Sequence, residues 1–180
     1  EVLIMSFNYE GVFMKLLLIS PNWKWCEEEK NVNYPFPPYN LCLLAAIVRD
    51  QKLCSDIKII DAYVDDLKLS DLKAMIEDYK PDVMGTTVLM DQLCDAGHMV
   101  TKITKEVNKD TITILGGVYA TMNPKRAVED NNLDYVVVGE GEYVFPNMLK
   151  YFNGSNKELP PKGLMYKNEG NGRLRVFKNY

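Results

Sequence analysis

Five short, continuous apolar runs, separated by segments long enough for helices, constrain this chain more than any other feature. The runs are Lys15–Ile19, Ile57–Ile60, Val83–Val88, Ile112–Leu115 and Tyr135–Val138. Such runs read as strands buried on both faces of a parallel sheet, with helices above and below it. Their exits share a character: Ser20-Pro21-Asn22, Asp61-Ala62, Thr86-Thr87, Gly116-Gly117 and Gly139-Glu140-Gly141-Glu142. In open sheets of this kind the ligand lies outside the carboxyl ends of the strands. The chain therefore places its small, backbone-exposing residues where a ligand would bind.

Between the runs the apolar period becomes helical. Leu41, Leu44, Ala45 and Val48 are spaced for one helix face, and Leu72, Met75, Ile76 and Tyr79 repeat the spacing, with Ser70 as the expected N-cap. Leu93, Ala96, Val100, Ile103 and Val107 predict a longer third helix, and Pro124 opens a short fourth one through Val128. Val144, Phe145, Met148, Leu149 and Phe152 predict the last helix, with Pro146 near its start, where proline is tolerated. Five βα units with right-handed crossovers predict an α/β, Rossmann/flavodoxin-like fold. The expected sheet has five parallel strands in the order 2-1-3-4-5, helices on both faces, and a ligand at the switch between the first and third strands. After Asn153 the texture changes: Gly154-Ser155-Asn156 and Pro160-Pro161 read as linker, and Gly163–Tyr166 with Arg173–Phe177 as a short C-terminal hairpin. The expected division is residues 1–14 as an N-terminal extension, 15–153 as the binding domain and 154–180 as linker and hairpin. Met14, directly before the first run, is placed to be the natural start.

At 180 residues the chain can bury a core without staples. Its net charge of −4 gives no electrostatic footprint for nucleic acid or an anionic membrane. No apolar stretch approaches a membrane span, and residues 1–13 do not resemble a signal peptide, so a cytoplasmic location is expected. Cys26, Cys42, Cys54 and Cys94 form neither a CxxC pair nor the CxxxCxxC of an iron–sulfur site, and are expected to be reduced thiols, with Cys42 and Cys54 in the core.

Several segments can carry chemistry. Gly116-Gly117, with Val118 and Tyr119 following, either makes a tight strand-to-helix turn or lets the backbone approach a large flat or anionic group. Thr86, Thr87 and Leu89 end the third strand, where threonines bond a ligand or cap the next helix. In Gly139, Glu140, Gly141 and Glu142 the carboxylates serve the helix macrodipole or bind polar groups of a ligand. The long loop Pro21–Pro38 carries Trp23, Trp25, Tyr34 and Phe36, which face a hydrophobic cofactor or a partner domain, or pack on their own domain. The single histidine, His98, lies in mid-helix and reads as a core or solvated residue rather than a metal ligand. No catalytic residue and no metal ligand is assigned.

Three segments taken in order, Pro81–Met90 (PDVMGTTVLM), Ile114–Thr121 (ILGGVYAT) and Asp134–Glu142 (DYVVVGEGE), resemble the N-terminal cobalamin-binding domain of cobalamin-dependent radical SAM enzymes. That family includes anaerobic magnesium-protoporphyrin IX monomethyl ester cyclases and radical SAM methyltransferases. Pro37–Leu41 (PPYNL) is similar to the turn opening the family's first helix, and Asp61-Ala62 to the end of its second strand. The resemblance implies that Thr87 and Leu89 occupy the positions of a Ser-x-Leu beside the nucleotide tail of cobalamin. It implies equally that Gly116 and Gly117 admit that tail. Related domains that ligate cobalt with histidine carry Asp-x-His-x-x-Gly after the first strand, whereas Ser20–Pro38 contains no histidine. Cobalamin bound base-off, without a histidine lower ligand, is therefore implied. The [4Fe-4S] cluster and S-adenosylmethionine would belong to a radical SAM domain outside this chain, and the chain alone would bind without catalysing. A docking domain of the same fold that has lost the cofactor is the alternative. A flavodoxin-type flavin or nucleotide binder is disfavoured, because Ser20–Trp25 lacks a phosphate-loop chemistry.

Overall fold

A computed structural model describes residues 3–6, 13–26, 37–159, 162–167 and 174–177. Tyr34, Phe36 and the hairpin turn at 168–172 lie outside the described residues, as does most of the segment before Met14. The elements in chain order are β1 (Leu3–Ser6), β2 (Lys15–Ser20), α1 (Tyr39–Asp50), β3 (Asp56–Asp61), α2 (Leu69–Tyr79) and β4 (Val83–Thr87). Then come α3 (Cys94–Val107), β5 (Ile112–Gly116), α4 (Val118–Met122), α5 (Pro124–Val128), β6 (Tyr135–Val137), α6 (Gly141–Phe152), β7 (Leu164–Lys167) and β8 (Leu174–Phe177). The sheet order is β1-β3-β2-β4-β5-β6-β7-β8.

The five apolar runs form the parallel core β3-β2-β4-β5-β6, which is the order read from the sequence. Three antiparallel strands extend it beyond the expected five. Leu3–Ser6 pairs with β3 at one edge, and the C-terminal hairpin docks through β7 onto β6 at the other. The hairpin joins the sheet because Val138 N–H donates to the Gly163 carbonyl at 2.8 Å, bringing β7 alongside the end of β6.

Side-chain alternation along β2 sorts the core into layers. Leu16 and Leu18 pack with Ala45 and Val48 of α1 and with Phe145, Met148 and Leu149 of α6. Leu17 and Ile19 point to the opposite face, against Leu72 and Ile76 of α2 and Val100 and Ile103 of α3. A third cluster joins α3, α4 and α5 around Leu115, Tyr119, Ala120 and Val136. On α1 the inward face is Leu41, Ala45 and Val48, so Cys42 is exposed, against expectation, while Cys54 is fully buried. Burial away from counter-charge pushes the Cys54 thiol up to about 12, which leaves it unreactive.

Two helix starts differ from the periodicity reading. α2 begins at Leu69, before Ser70, and its first turn is closed by the Asp71 carboxylate accepting from Lys68 N–H at 3.1 Å. α6 begins at Gly141, which puts Pro146 at the sixth helical position rather than in the first turn. Among the described residues no helix is long and apolar enough to cross a membrane.

Gly97 lets α3 lie close to the sheet. A Cβ there would meet Val88 Cγ2 at 2.5 Å and Leu115 Cδ1 at 3.2 Å, both parts of stiff or fully buried side chains. Gly97→Ala gains about 1 kcal/mol of helix propensity and incurs about 1–3 kcal/mol of overpacking. We expect a net loss of stability, read as a lower urea midpoint with unchanged slope.

Candidate functional site

The carboxyl ends of β2, β4, β5 and β6 open into a cavity of about 380 Å³. Its deep part is a slot between the sheet and the layer of α1 and α6, walled by Leu18, Leu41, Leu44, Ile114, Val137 and Phe145. Gly85, in the middle of β4, makes the slot possible. A Cβ at Gly85 would lie 2.9 Å from Leu18 Cδ2 and 3.5 Å from Phe145. The wall is apolar and hydrogen-bond-poor, which suits a flat ring rather than a phosphate.

Two turns without bulk form the mouth. Gly117 has φ +95°, a conformation that L side chains rarely adopt, and its missing Cβ would sit 2.5 Å from the Val88 carbonyl oxygen and 2.8 Å from Thr87 Oγ1. Backbone bonds hold the turn in place: Val88 N–H donates to the Gly116 carbonyl, and Tyr119 N–H to the Val88 carbonyl, each at 3.1 Å. Thr121 Oγ1 donates to the Gly117 carbonyl at 2.9 Å and accepts from Gly139 N–H at 3.0 Å. One hydroxyl thus couples the Gly-Gly turn to the Gly-Glu-Gly-Glu loop. Glu142 lies in the first turn of α6, where its carboxylate favours the helix dipole, and Glu140 stands exposed immediately before it.

The structure brings Thr86, Thr87, Leu89, Gly116, Gly117, Val118, Gly139, Glu140, Gly141 and Glu142 to this one cavity. The hydroxyl of Thr86 is already committed, donating to the Ile19 carbonyl at 2.9 Å. Thr87 Oγ1 accepts from Asn40 Nδ2–H at 2.7 Å. Leu89, Val118 and Met122 are apolar yet 51%, 54% and 72% exposed around the mouth. Tyr119 is the exception among the sequence candidates. It is buried away from the cavity, because the Gly-Gly turn directs the helix that follows so that its first side chain, Val118, faces the mouth and its second faces α3.

Sequence reasoning did not single out Gly85, Leu44, Thr121 or Phe145 as cavity residues, and it placed Asn40 only within the turn before the first helix. These residues come from elements far apart in the chain, and only Gly85, a glycine inside a strand, carried a local signal.

A second cavity of about 490 Å³ lies beside the first, over the ends of β2, β3 and β4. Ser20, Trp23, Asp61, Tyr63, Met90 and Leu93 line it, and Asn40, Thr87 and Leu89 border both cavities. Trp23 is buried in the α3–α5 cluster, and the Trp25 indole N–H donates to the Leu67 carbonyl at 2.9 Å. These two aromatics therefore pack on their own domain, with Trp23 also lining the cavity. Burial pushes the Asp61 carboxyl up, opposed by the Val64 and Tyr63 N–H groups.

Behind the Gly-Gly turn lies a polar network absent from the sequence reading. His98 Nδ1 lies 2.8 Å from Asp130 Oδ2, and His98 Nε2 lies 3.1 Å from the Tyr119 hydroxyl. Thr101 Oγ1 also donates to Asp130 Oδ2 at 2.8 Å. Burial pushes the Asp130 carboxyl up, but hydrogen bonds from His98, Asn132 N–H and Thr101 outweigh it and hold it at about 2. His98 lines neither cavity; it is half-buried and anchors Tyr119. Among the described residues no cluster of histidine, cysteine and carboxylates is arranged to hold a metal ion.

Residues 30–149 match the family model described as the B12 binding domain. The chain is 32% identical over 163 residues to an uncharacterized methyltransferase of Pyrococcus horikoshii, covering 90% of this chain and 34% of that protein. It is 33% identical over 137 residues to the anaerobic magnesium-protoporphyrin IX monomethyl ester cyclase of Rubrivivax gelatinosus, covering 76% of this chain and 24% of that one. The chain thus spans a quarter to a third of the length of these curated relatives. Two solved structures share the fold. The radical S-adenosylmethionine methyltransferase TsrM from Kitasatospora setae, with cobalamin and a [4Fe-4S] cluster bound, superposes with a TM-score of 0.71 at 19% identity, over 88% of this chain and 28% of that chain. The cobalamin-dependent radical enzyme OxsB, with aqua-cobalamin and S-adenosylmethionine bound, gives 0.72 at 21% identity, over 91% and 22%.

The Asp130 carboxyl binds its proton more weakly folded than unfolded. It therefore adds stability above about pH 4 that disappears as the pH falls toward 2. We expect Asp130→Asn to lose about 2 kcal/mol at pH 7, with mutant and wild-type stabilities converging as unfolding is followed down to pH 2.

Proposed function

This chain belongs to the B12 binding domain family, and from that membership we propose that it is the cobalamin-binding module of a larger radical SAM enzyme. Residues 15–153 form the binding unit, and 154–180 lead toward a radical SAM domain that would carry the [4Fe-4S] cluster and S-adenosylmethionine. The parent reaction is methyl transfer or cyclase chemistry, and the location is the cytoplasm. The single observation that carries the proposal is the apolar slot floored by Gly85 and entered past Gly117, where a Cβ would clash with backbone.

The residues present fit the group. The slot takes the ring of the nucleotide tail between the sheet and α1–α6. Gly116, Gly117, Gly139 and Gly141 keep side chains out of its path, and Glu140 and Glu142 accept from polar substituents at the mouth. The second cavity and the exposed Leu89, Val118 and Met122 give the corrin face an apolar rest. When bound, the cobalt of such a corrinoid supplies a carrier for a methyl group. This chain's own part is to hold the tail away from the metal, bury the ring and shield it from water. Two observations favour binding base-off and without a histidine lower ligand: no histidine occurs in Ser20–Pro38, and His98, the sole histidine, is engaged by Asp130 and Tyr119 on a different face.

The exposed apolar rim also suits a docking domain that has lost the cofactor, and one titration separates the two readings. Hydroxocobalamin added to the purified chain is expected to co-elute at about one to one. Cobinamide, which lacks the nucleotide tail, should bind at least about tenfold more weakly. Gly117→Trp should abolish retention, and Leu44→Trp should do the same by filling the slot from the helix side, leaving the Gly-Gly turn after β5 intact. Equal affinity for both corrinoids would remove the tail from the slot, and no retention of either would favour the docking domain.

A further inference from the structure

We infer that Asn40 is a positioning residue that fixes the Thr87 hydroxyl as a hydrogen-bond donor to an acceptor on the nucleotide tail. The inference rests on the corrinoid reading above. Asn40 occupies the second position of α1 and stands where the two cavities meet. Its own geometry assigns the amide. Oδ1 accepts from Leu41 N–H at 3.0 Å, which turns Nδ2 toward Thr87 Oγ1, 2.7 Å away.

An amide nitrogen can only donate, so the Thr87 oxygen must accept from it. A threonine hydroxyl left to itself serves a ligand as donor or acceptor by rotating; this one has been given a polarity. Among the described residues its proton has no acceptor. The neighbouring Thr86, by contrast, spends its proton on the Ile19 carbonyl. Thr87 is 5% exposed but borders both cavities, so its proton points where water accepts it in the open site and a bound group with a lone pair would replace that water. Gly117 leaves that space open, since a Cβ there would lie 2.8 Å from Thr87 Oγ1. The matching ligand atom is an acceptor lone pair, such as an unprotonated ring nitrogen or a phosphate oxygen, and a protonated nitrogen in that place is rejected.

The test is reversal of polarity at constant shape. In Asn40→Asp the carboxylate can only accept, so the Thr87 proton turns onto it and no donor remains for the ligand. A carboxylate near a helix start is favourable, so the fold should not weaken. Hydroxocobalamin affinity is expected to fall about tenfold, the worth of one hydrogen bond, while the thermal midpoint holds and cobinamide affinity is unchanged. Thr87→Val should show the same loss, and adding Asn40→Asp to Thr87→Val should cost nothing further. Wild-type affinity in Asn40→Asp, additive losses in the double variant, or an equal loss with cobinamide would each overturn the assignment. If the wild-type chain retains no hydroxocobalamin, the corrinoid reading falls and this inference with it. Retention by wild type and by Asn40→Asp alike overturns this inference alone.

Discussion

A side chain at Gly117 would place its Cβ 2.5 Å from the Val88 carbonyl oxygen and 3.0 Å from the Val88 amide nitrogen, so the turn after β5 can press against the end of β4 only as glycine. That approach fixes much else. It seats the Gly116 carbonyl on Val88 N–H and the Tyr119 amide on the Val88 carbonyl, which sets the direction of α4. With α4 so placed, Thr121 reaches both the Gly117 carbonyl and Gly139 N–H, and the loops after β5 and β6 become one rim. Tyr119 turns inward, where His98 of α3 bonds its hydroxyl and is itself held by Asp130, just beyond α5. The mouth of the slot is therefore shaped by backbone and anchored by a polar network behind it.

The slot itself is a packing gap that the sheet keeps open. Parallel strands covered on both faces bring large aliphatic side chains into contact, and Leu16, Leu17, Leu18 and Ile19 are all fully buried. Gly85 interrupts that packing in the central strand, on the face that meets α1 and α6. Filling the gap would add apolar contacts, so leaving it open forgoes stability that a larger residue could supply. Gaps of this kind belong at binding sites, where stability and function compete.

Strand order, core faces and the position of a cavity over the strand ends were legible in the sequence because each depends on local pattern. Continuous apolar runs marked β2 to β6, helical spacing marked the inward faces of α1 and α6, and the paired glycines marked the turns. What escaped depends on contacts across the fold. Nothing near Asn40 announces Thr87, which is 47 residues away, and nothing near His98 announces Asp130 or Tyr119. Tyr119 stands beside the paired glycines in sequence, but one residue along a helix rotates a side chain by about 100°, so Val118 faces the mouth and Tyr119 does not. Cys42 and Cys54 bracket α1, yet the same rotation turns Cys42 outward, one residue past the inward Leu41, while Cys54 is buried. The hairpin at β7 and β8 was visible as a hairpin. Its docking on β6 was not, because that register depends on Val138 meeting Gly163.

The proposal that the nucleotide tail lies in the slot, away from cobalt, makes a direct spectroscopic claim. In free cob(II)alamin the tail's own nitrogen ligates the metal and splits each line of the electron paramagnetic resonance spectrum into a triplet. With the tail withdrawn and no histidine in its place, no nitrogen from outside the corrin ring would remain on the metal. Recording that spectrum for cob(II)alamin bound to this chain tests the account most directly. Loss of the triplet on binding is the predicted result. A triplet that persists in the bound complex would mean that a nitrogen from outside the corrin ring still ligates cobalt, and would contradict the account.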